Sequence, residues 1–278
     1  MKKWIRYCIL GLLFFLIAWT LCSGISLKVS KYTVSSHKIP EDFDGFKIAQ
    51  ISDLHNDSFG KNNERLLKKI KKNKPDIIVI TGDIADSLET ENATEFVRQA
   101  SAIAPTYYVP GNHEAWIDHY PQLESAIQEN GATVLRNETV YLFQGNNALA
   151  LSGIDDPQFF SNTPEQSITM ESALVYLADN TVPYQILLSH RPEYFEIYCE
   201  NGYDLVFSGH AHGGQIRLPF VGGIYAPNQG LFPKYDSGAF TKDNTTMIVS
   251  RGLGNSVFFP RIGNRPEIVI TQLKAEKF

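Results

Sequence analysis

Eight residues can hold a metal ion or act beside one: Asp53 and His55, Asp83, Asn112 and His113, His190, and His210 with His212. They fall in five groups, and each group directly follows a short apolar run: Ile48–Ile51, Ile77–Thr81, Tyr107–Val109, Ile186–Leu188 and Leu205–Phe207. Five of the seven histidines belong to this set, while His37 and His119 do not. Taken singly each residue has an ordinary reading, since a lone histidine is usually a surface or satisfied core residue and an Asp or Asn before a helix is usually a cap. Taken jointly they offer imidazole, carboxylate and amide donors without a thiolate. That donor set excludes a structural cysteine–zinc site and suits Mn, Fe, Zn or a similar divalent ion.

Such residues need a scaffold that brings positions 53 to 212 to one place. Apolar runs of strand length continue at Phe46–Ile51, Leu149–Ile154, Met247–Val249 and Ile268–Leu273, and Lys28–Val34 alternates like an exposed strand or linker. Helical stretches are expected at Asn62–Lys72, Thr94–Ser101, Tyr120–Glu129 and Pro192–Cys199. Strands alternating with helices predict an α/β architecture. In open sheets of this class the functional crevice lies beyond the carboxyl ends of the strands, where the five groups sit. The stretch from Gly213 to Phe240 is rich in glycine and aromatics, and reads as a packed loop beside the site.

Of the 278 residues 43% are hydrophobic and 20% charged, in the range of ordinary globular proteins. The net charge of −5 supplies no chain-wide basic field, so no nucleic-acid partner is expected. Cys8 and Cys22 lie in or beside an N-terminal apolar run and only Cys199 falls beyond it, so no disulfide framework is expected in the folded part. That run, Tyr7 to Cys22, is interrupted only by Thr20 and is preceded by Lys2, Lys3 and Arg6. It reads as a single-pass anchor with its N-terminus inside the cell, a cleaved signal peptide being the alternative. The expected organisation is an anchor or signal peptide over 1–24, a juxtamembrane strand or linker over 25–42, and a catalytic domain over 43–278. The expected location is the cell membrane with that domain outside the cytoplasm, or secretion after cleavage.

Asp53-Leu54-His55, Gly82-Asp83, Gly111-Asn112-His113-Glu114, His190 and Gly209-His210-Ala211-His212 together resemble the five ordered blocks of the calcineurin-like metallophosphoesterases. The resemblance runs from about Phe46 to His212. Gly213-Gly214-Gln215 and Asn264-Arg265-Pro266-Glu267 are further similar to a membrane-associated bacterial branch related to phosphodiesterases and UDP-diacylglucosamine hydrolases. The resemblance implies an α/β fold of the α+β sandwich kind, four layers deep (αββα), with two mixed β-sheets flanked by helices. It implies two divalent metal ions, one held by Asp53, His55 and His212 and the other by Asn112, His190 and His210, with Asp83 bridging both. His113 matches the family's non-ligand histidine, which stabilises developing charge or protonates the leaving oxygen. Asp86 matches the carboxylate that orients that histidine, although an Asp before Ser87 also reads as a helix cap.

The implied activity is hydrolysis of a phosphoester by metal-activated hydroxide at a dinuclear site. The expected substrate is a phosphodiester or pyrophosphate at or near the membrane, lipid-linked forms included. The alternatives are a phosphomonoesterase on soluble substrates and a non-catalytic envelope binding module with a structural metal site. Three features carry two readings each. Arg191 contacts a substrate phosphate or is simply solvated. The seven basic residues of Lys61–Lys74, opposite a stripe of Leu66, Leu67 and Ile70, face solvent or rest on anionic headgroups. Phe220, Tyr225, Leu231, Phe232 and Tyr235 line an apolar substrate channel or pack as a loop core.

Overall fold

Ile77–Thr81 reads Ile-Ile-Val-Ile-Thr, and a strand without a polar face is stable only where both faces are covered. In the computed structural model both are covered: Ile78 and Ile80 pack against helices, while Ile77 and Val79 pack against a second sheet. The structure describes residues 3–11, 14, 26–86, 90–161, 169–179, 181–255 and 260–277.

The first sheet comprises β1 (Lys28–Ser36), β2 (Lys47–Ile51), β3 (Ile77–Thr81), β4 (Thr106–Val109), β5 (Ala132–Val134) and β16 (Glu267–Ala275), in the order β1-β16-β2-β3-β4-β5. Strands β2 to β5 are parallel, and β16 runs antiparallel to β2. The second sheet comprises β6 (Glu138–Gln144), β7 (Asn147–Gly153), β8 (Gln185–Leu188), β9 (Leu205–Ser208), β14 (Gly238–Lys242) and β15 (Thr245–Val249), in the order β14-β15-β9-β8-β7-β6. Its four inner strands are parallel and its two edges antiparallel. Val109, Leu149, Leu151, Ile186, Leu188, Phe207, Ile248 and Val269 fill the space between the sheets. Leu187, Val206 and Met247 point the other way, as the two-residue period of a strand demands.

Helices close both outer faces. Glu64–Asn73, Glu91–Ser101 and Tyr120–Glu129 cover the first sheet, inserting Leu66, Ile70, Phe96, Leu123 and Ile127. Met170–Leu177 and Phe195–Glu200 cover the second with Leu174, Phe195 and Tyr198. The architecture is the expected four-layer sandwich with two mixed sheets. Strands β5, β6 and β14 and the helices Asn112–Trp116 and Met170–Leu177 are additions to the elements expected from sequence.

Within the segment 25–42, Lys28–Ser36 is an edge strand, paired with β16 along its whole length from Lys28↔Glu267 to Ser36↔Ala275. Because β1 runs parallel to β16 and β16 antiparallel to β2, the chain enters this sheet at the carboxyl ends of β2 and β3. Residues 3–11 are helical, and the greater part of the apolar run Tyr7–Cys22 lies outside the described residues. Among the described residues no helix is long and apolar enough to cross a membrane.

Candidate metal centre

The candidate ligands occupy the loops that follow β2, β3, β4, β8 and β9, so the centre lies at one end of the sandwich and draws on both sheets. Short backbone bonds tie these loops together. Asp53 N–H donates to Gly82 O at 3.0 Å, His55 N–H to Asp83 O at 3.0 Å and Gly209 N–H to His190 O at 3.1 Å. Asp53, His55, Asp83, His210 and His212 all have left-handed backbone, with φ between 47° and 63°. Non-glycine residues adopt this region at a cost, and Asp, Asn and His do so most readily.

Two glycines of the motifs are required by close approach. A β-carbon on Gly111 would lie 2.2 Å from Asp83 Oδ1, and one on Gly209 would lie 1.9 Å from Ser52 Oγ. Glu114 ties the Asp83 loop to Gly111. Its fully buried carboxylate accepts from the N–H groups of Asp83 (2.8 Å), Ile84 (2.7 Å), Ala85 (3.2 Å) and Gly111 (2.7 Å). Burial first and the Asp83 carboxylate second push Glu114 up to about 7, against the pull of these bonds.

The side chains converge into two groups that share one carboxylate. Asp53, His55, Asp83 and His212 offer ligand atoms within 4.8 Å of one another, and so do Asp83, His190 and His210. Asp83 Oδ2 is 3.1 Å from His190 Nε2 and 3.8 Å from His55 Nε2, while Asp53 Oδ1 is 3.3 Å from His212 Nε2. Asn112 opens the helix Asn112–Trp116 and is buried. Asp53 Oδ2 and Asn112 Oδ1 are buried with no hydrogen-bond partner among the described residues. Buried polar atoms are normally satisfied, and two orphaned oxygens in a nest of nitrogen and oxygen donors fit a bound cation.

The electrostatics agree with that fit. Burial followed by neighbouring cationic groups holds His210 and His212 well below the usual histidine range, which keeps their ring lone pairs available. His190 is raised to about 10: burial opposes its charge, but Asp83 and Asp53 outweigh it. Asp83 is pressed upward by burial and held well below the usual carboxylate range by His190, His55 and His113. The His190 proton thus answers the Asp83 charge, and a divalent cation held there would compete with that proton.

His113 stands at the mouth with part of its ring exposed, 3.1 Å through Nδ1 from Asp86 Oδ1 and 3.9 Å through Nε2 from Asp83 Oδ2. Asp86 also contacts His55 Nδ1, so one carboxylate steers a ligand-set histidine and His113 together. Asp86 does not cap the helix Glu91–Ser101, whose N-cap residue is Thr90. Burial raises Asp86 and the two histidines bring it down to about 2, while Asp86 and Asp83 overcome burial to raise His113.

Of the two readings of Arg191, the solvated one is corrected by its burial. It is buried, donating to Asp156 at 2.5 and 3.0 Å, and its NH1 lies 2.8 Å from His210 Nε2 and 2.7 Å from Asn228 Oδ1. Asn228 Oδ1 accepts from Arg191 and is also 3.0 Å from His210 Nε2, so the arginine and the amide together hold that edge of the ring. Arg261, likewise buried, lies 3.0 Å from His212 Nδ1 and donates to Arg251 O at 2.7 Å. Asn264, from the Asn-Arg-Pro-Glu motif, donates to His212 O at 2.6 Å and Gln215 O at 3.2 Å. Sequence reasoning missed Asp156, Asn228 and Arg261, because nothing local marks a residue whose partner lies tens of positions away.

The glycine-aromatic stretch folds into two small hairpins, β10 (Arg217–Leu218) with β11 (Gly222–Gly223) and β12 (Tyr225–Ala226) with β13 (Gly230–Leu231). They lean on the ligand loop, with Ile224 N–H donating to Gly214 O at 3.2 Å. Of the five residues expected to line a channel or fill a loop core, only Tyr235 is buried, while Phe220, Tyr225, Leu231 and Phe232 are exposed.

A family model described as calcineurin-like phosphoesterase matches residues 46–214. The metallophosphoesterase YkuE of Bacillus subtilis (strain 168) is 33% identical over 257 residues, covering 90% of this chain and 86% of its own. The phosphodiesterase YaeI of Escherichia coli (strain K12) is 26% identical over 236 residues, covering 82% of each. Among solved structures, the sulfate thiohydrolase SoxB of Thermus thermophilus superposes with a TM-score of 0.51 at 13% identity, covering 77% of this chain and 52% of that one, a likeness of fold. With five motif blocks folded into one centre and a family model spanning them all, this chain is a metallophosphoesterase enzyme of the calcineurin-like family.

Proposed function

We propose that the chain hydrolyses a phosphodiester or pyrophosphate at or near the membrane, using a dinuclear centre. Asp53, His55 and His212 would hold one ion, Asn112, His190 and His210 the other, and Asp83 both. The observation that carries this is the membership of Asp83 in both ligand groups. When bound, two divalent ions supply charge neutralisation on the phosphoryl oxygens and a water that loses its proton near neutral pH. The remaining work falls to the chain. His113, oriented by Asp86 and favoured in its protonated form, presents Nε2 beside Asp83 to hold charge or deliver a proton at the departing oxygen. Arg191 and Asn228 fix the ring of His210, and Arg261 and Asn264 brace His212.

The relative YaeI is a phosphodiesterase, which favours the diester over the monoester reading. The basic cluster before an apolar N-terminal run supports an anchored, N-in location with the catalytic domain outside the cytoplasm. The test uses the full chain in detergent, supplied with Mn²⁺, Zn²⁺ or Fe²⁺ and offered bis-p-nitrophenyl phosphate or p-nitrophenyl phosphate. The diester should be preferred, and Asp83→Ala should lose both ions and all turnover. Preference for the monoester would promote phosphomonoesterase activity. Binding of metal without turnover on either ester would promote the non-catalytic module.

A further inference from the structure

The two hairpins beside the metal centre present apolar side chains at costly backbone positions. Leu218, Val221, Tyr225, Leu231 and Phe232 are exposed, and Phe220 is fully so. Val221 N–H donates back to Leu218 O at 3.3 Å, closing a turn whose second central residue is Phe220 with φ 67°. Turns of that geometry favour glycine or asparagine there, and a bulky aromatic is an outlier. Phe232 repeats the pattern with φ 55° at the end of the second hairpin. The hairpins are joined, since Phe232 N–H donates to Ile224 O at 2.8 Å, so the exposed residues belong to one folded unit. A surface that sets phenylalanine on strained turns and leaves it uncovered is built for contact.

The chain itself indicates what lies opposite. Ile216 bridges Ile262, and Arg217 N–H donates to Ile262 O at 2.8 Å. A few residues on, Arg265 Nε donates to Ser26 O at 3.0 Å and Lys28 N–H to Pro266 O at 2.8 Å. The first residues of the folded domain thus sit beside the hairpins, at the same end of the sandwich as the ligands. Cys22, which ends the apolar run, is four residues before Ser26. A chain covers at most ~3.6 Å per residue, so the end of that run stays within about 14 Å of this rim. Arg265 is exposed and Lys28 partly so, placing two cations where anionic headgroups would meet them. The lysine-rich helix Glu64–Asn73 favours another orientation less well. As the crossover between the parallel strands β2 and β3 it carries Lys71 and Lys72 toward the opposite end of the sandwich.

We infer that the two hairpins dock into the interface of a lipid bilayer, with Phe220 and Phe232 as the inserted tips, and hold the metal centre facing the membrane surface. The occupant rests on the membrane-anchor reading above, whereas the docking itself requires no turnover.

The test uses the full chain with Cys8, Cys22 and Cys199 changed to Ser, and Phe220→Cys, Phe232→Cys or Phe143→Cys added singly for an environment-sensitive fluorescent label. Phe143 is exposed but lies at the far end of β6, away from the ligands. Each protein is reconstituted into phosphatidylcholine–phosphatidylglycerol vesicles, with unchanged circular dichroism as the folding control. Flotation reports the anchor, and nitroxide-bearing lipids report insertion. Interfacial burial of ~5–10 Å should quench the 220 and 232 labels at least about twofold and leave the 143 label unaffected. Vesicle-bound protein whose 220 and 232 labels respond like the 143 label would overturn the docking while the anchor stands. A label shielded only as protein concentration rises would assign the hairpins to a second copy and also overturn it. Protein that does not float with the vesicles would overturn anchor and docking together.

Discussion

Replacing Asp156 with alanine isolates the contribution of the buried pair behind His210. Arg191 and Asp156 are both buried, with guanidinium–carboxylate distances of 2.5 and 3.0 Å. Without Asp156 the Arg191 charge keeps its contacts to Asn228, His210 and, at 3.5 Å, Glu193, but loses its bidentate partner. Removing one member of such a pair costs about 3–5 kcal/mol, a large share of the ~5–15 kcal/mol that holds a domain together. At roughly 2–4 °C per kcal/mol for a chain of this size, Asp156→Ala should lower the melting temperature of the metal-free protein by about 6–20 °C. The double variant Asp156→Leu, Arg191→Met removes both charges and should recover most of that loss, since apolar replacement of a buried pair is commonly neutral or stabilising. Its metal affinity should nevertheless stay about 10–100-fold weaker, because His210 has lost part of its support. Differential scanning calorimetry in detergent and metal titration read the two effects separately. A single variant melting within ~2 °C of the parent, or a double variant no better than the single, would refute the reasoning.

His113→Ala should retain both ions by elemental analysis yet lose about 10²–10⁴-fold in turnover, and loss of metal would make His113 a ligand. Gly209→Ala sets a β-carbon 1.9 Å from Ser52 Oγ, and the overpacking should cost about 1–3 kcal/mol by denaturant titration; an unchanged midpoint would show that the two loops separate freely. In the metal-free site His190 is protonated up to about 10, so binding an ion there must release its proton. Between about pH 7 and 9 affinity should therefore rise with pH and uptake should acidify a weakly buffered solution, whereas pH-independent affinity would show that His190 binds no ion.

The ligand blocks were legible because metal chemistry restricts residue types and strand ends restrict position, so Asp53 to His212 stand out even in a single sequence. The open-sheet rule nevertheless located the crevice through only half of its frame. The site receives loops from two sheets, and only the resemblance implied the second. Strand β6 escaped notice because Tyr141 and Phe143 are exposed on an edge, which breaks the apolar alternation expected of a strand. The hairpins escaped because their strands are two residues long, below the length at which a period can be read. Arg191 read as a phosphate contact or a solvated cation and Arg261 drew no reading, because a sequence carries no sign that Asp156 or His212 stands opposite.

The left-handed backbone at Asp53, His55, Asp83, His210 and His212 limits how this centre could be redesigned or could drift over evolutionary time. Under the proposed ligand assignment, a residue at these five positions must satisfy two selections at once: donate to a cation and tolerate positive φ. Aspartate, asparagine and histidine pass both, whereas glutamate or cysteine passes only the first. Softer or longer-reaching donors would meet a backbone penalty before any change in ion preference could be felt. Asn112 and His190 carry no such restriction, so exchanges that retune the choice of ion should accumulate there, on the side of the centre that Arg191 and Asn228 support.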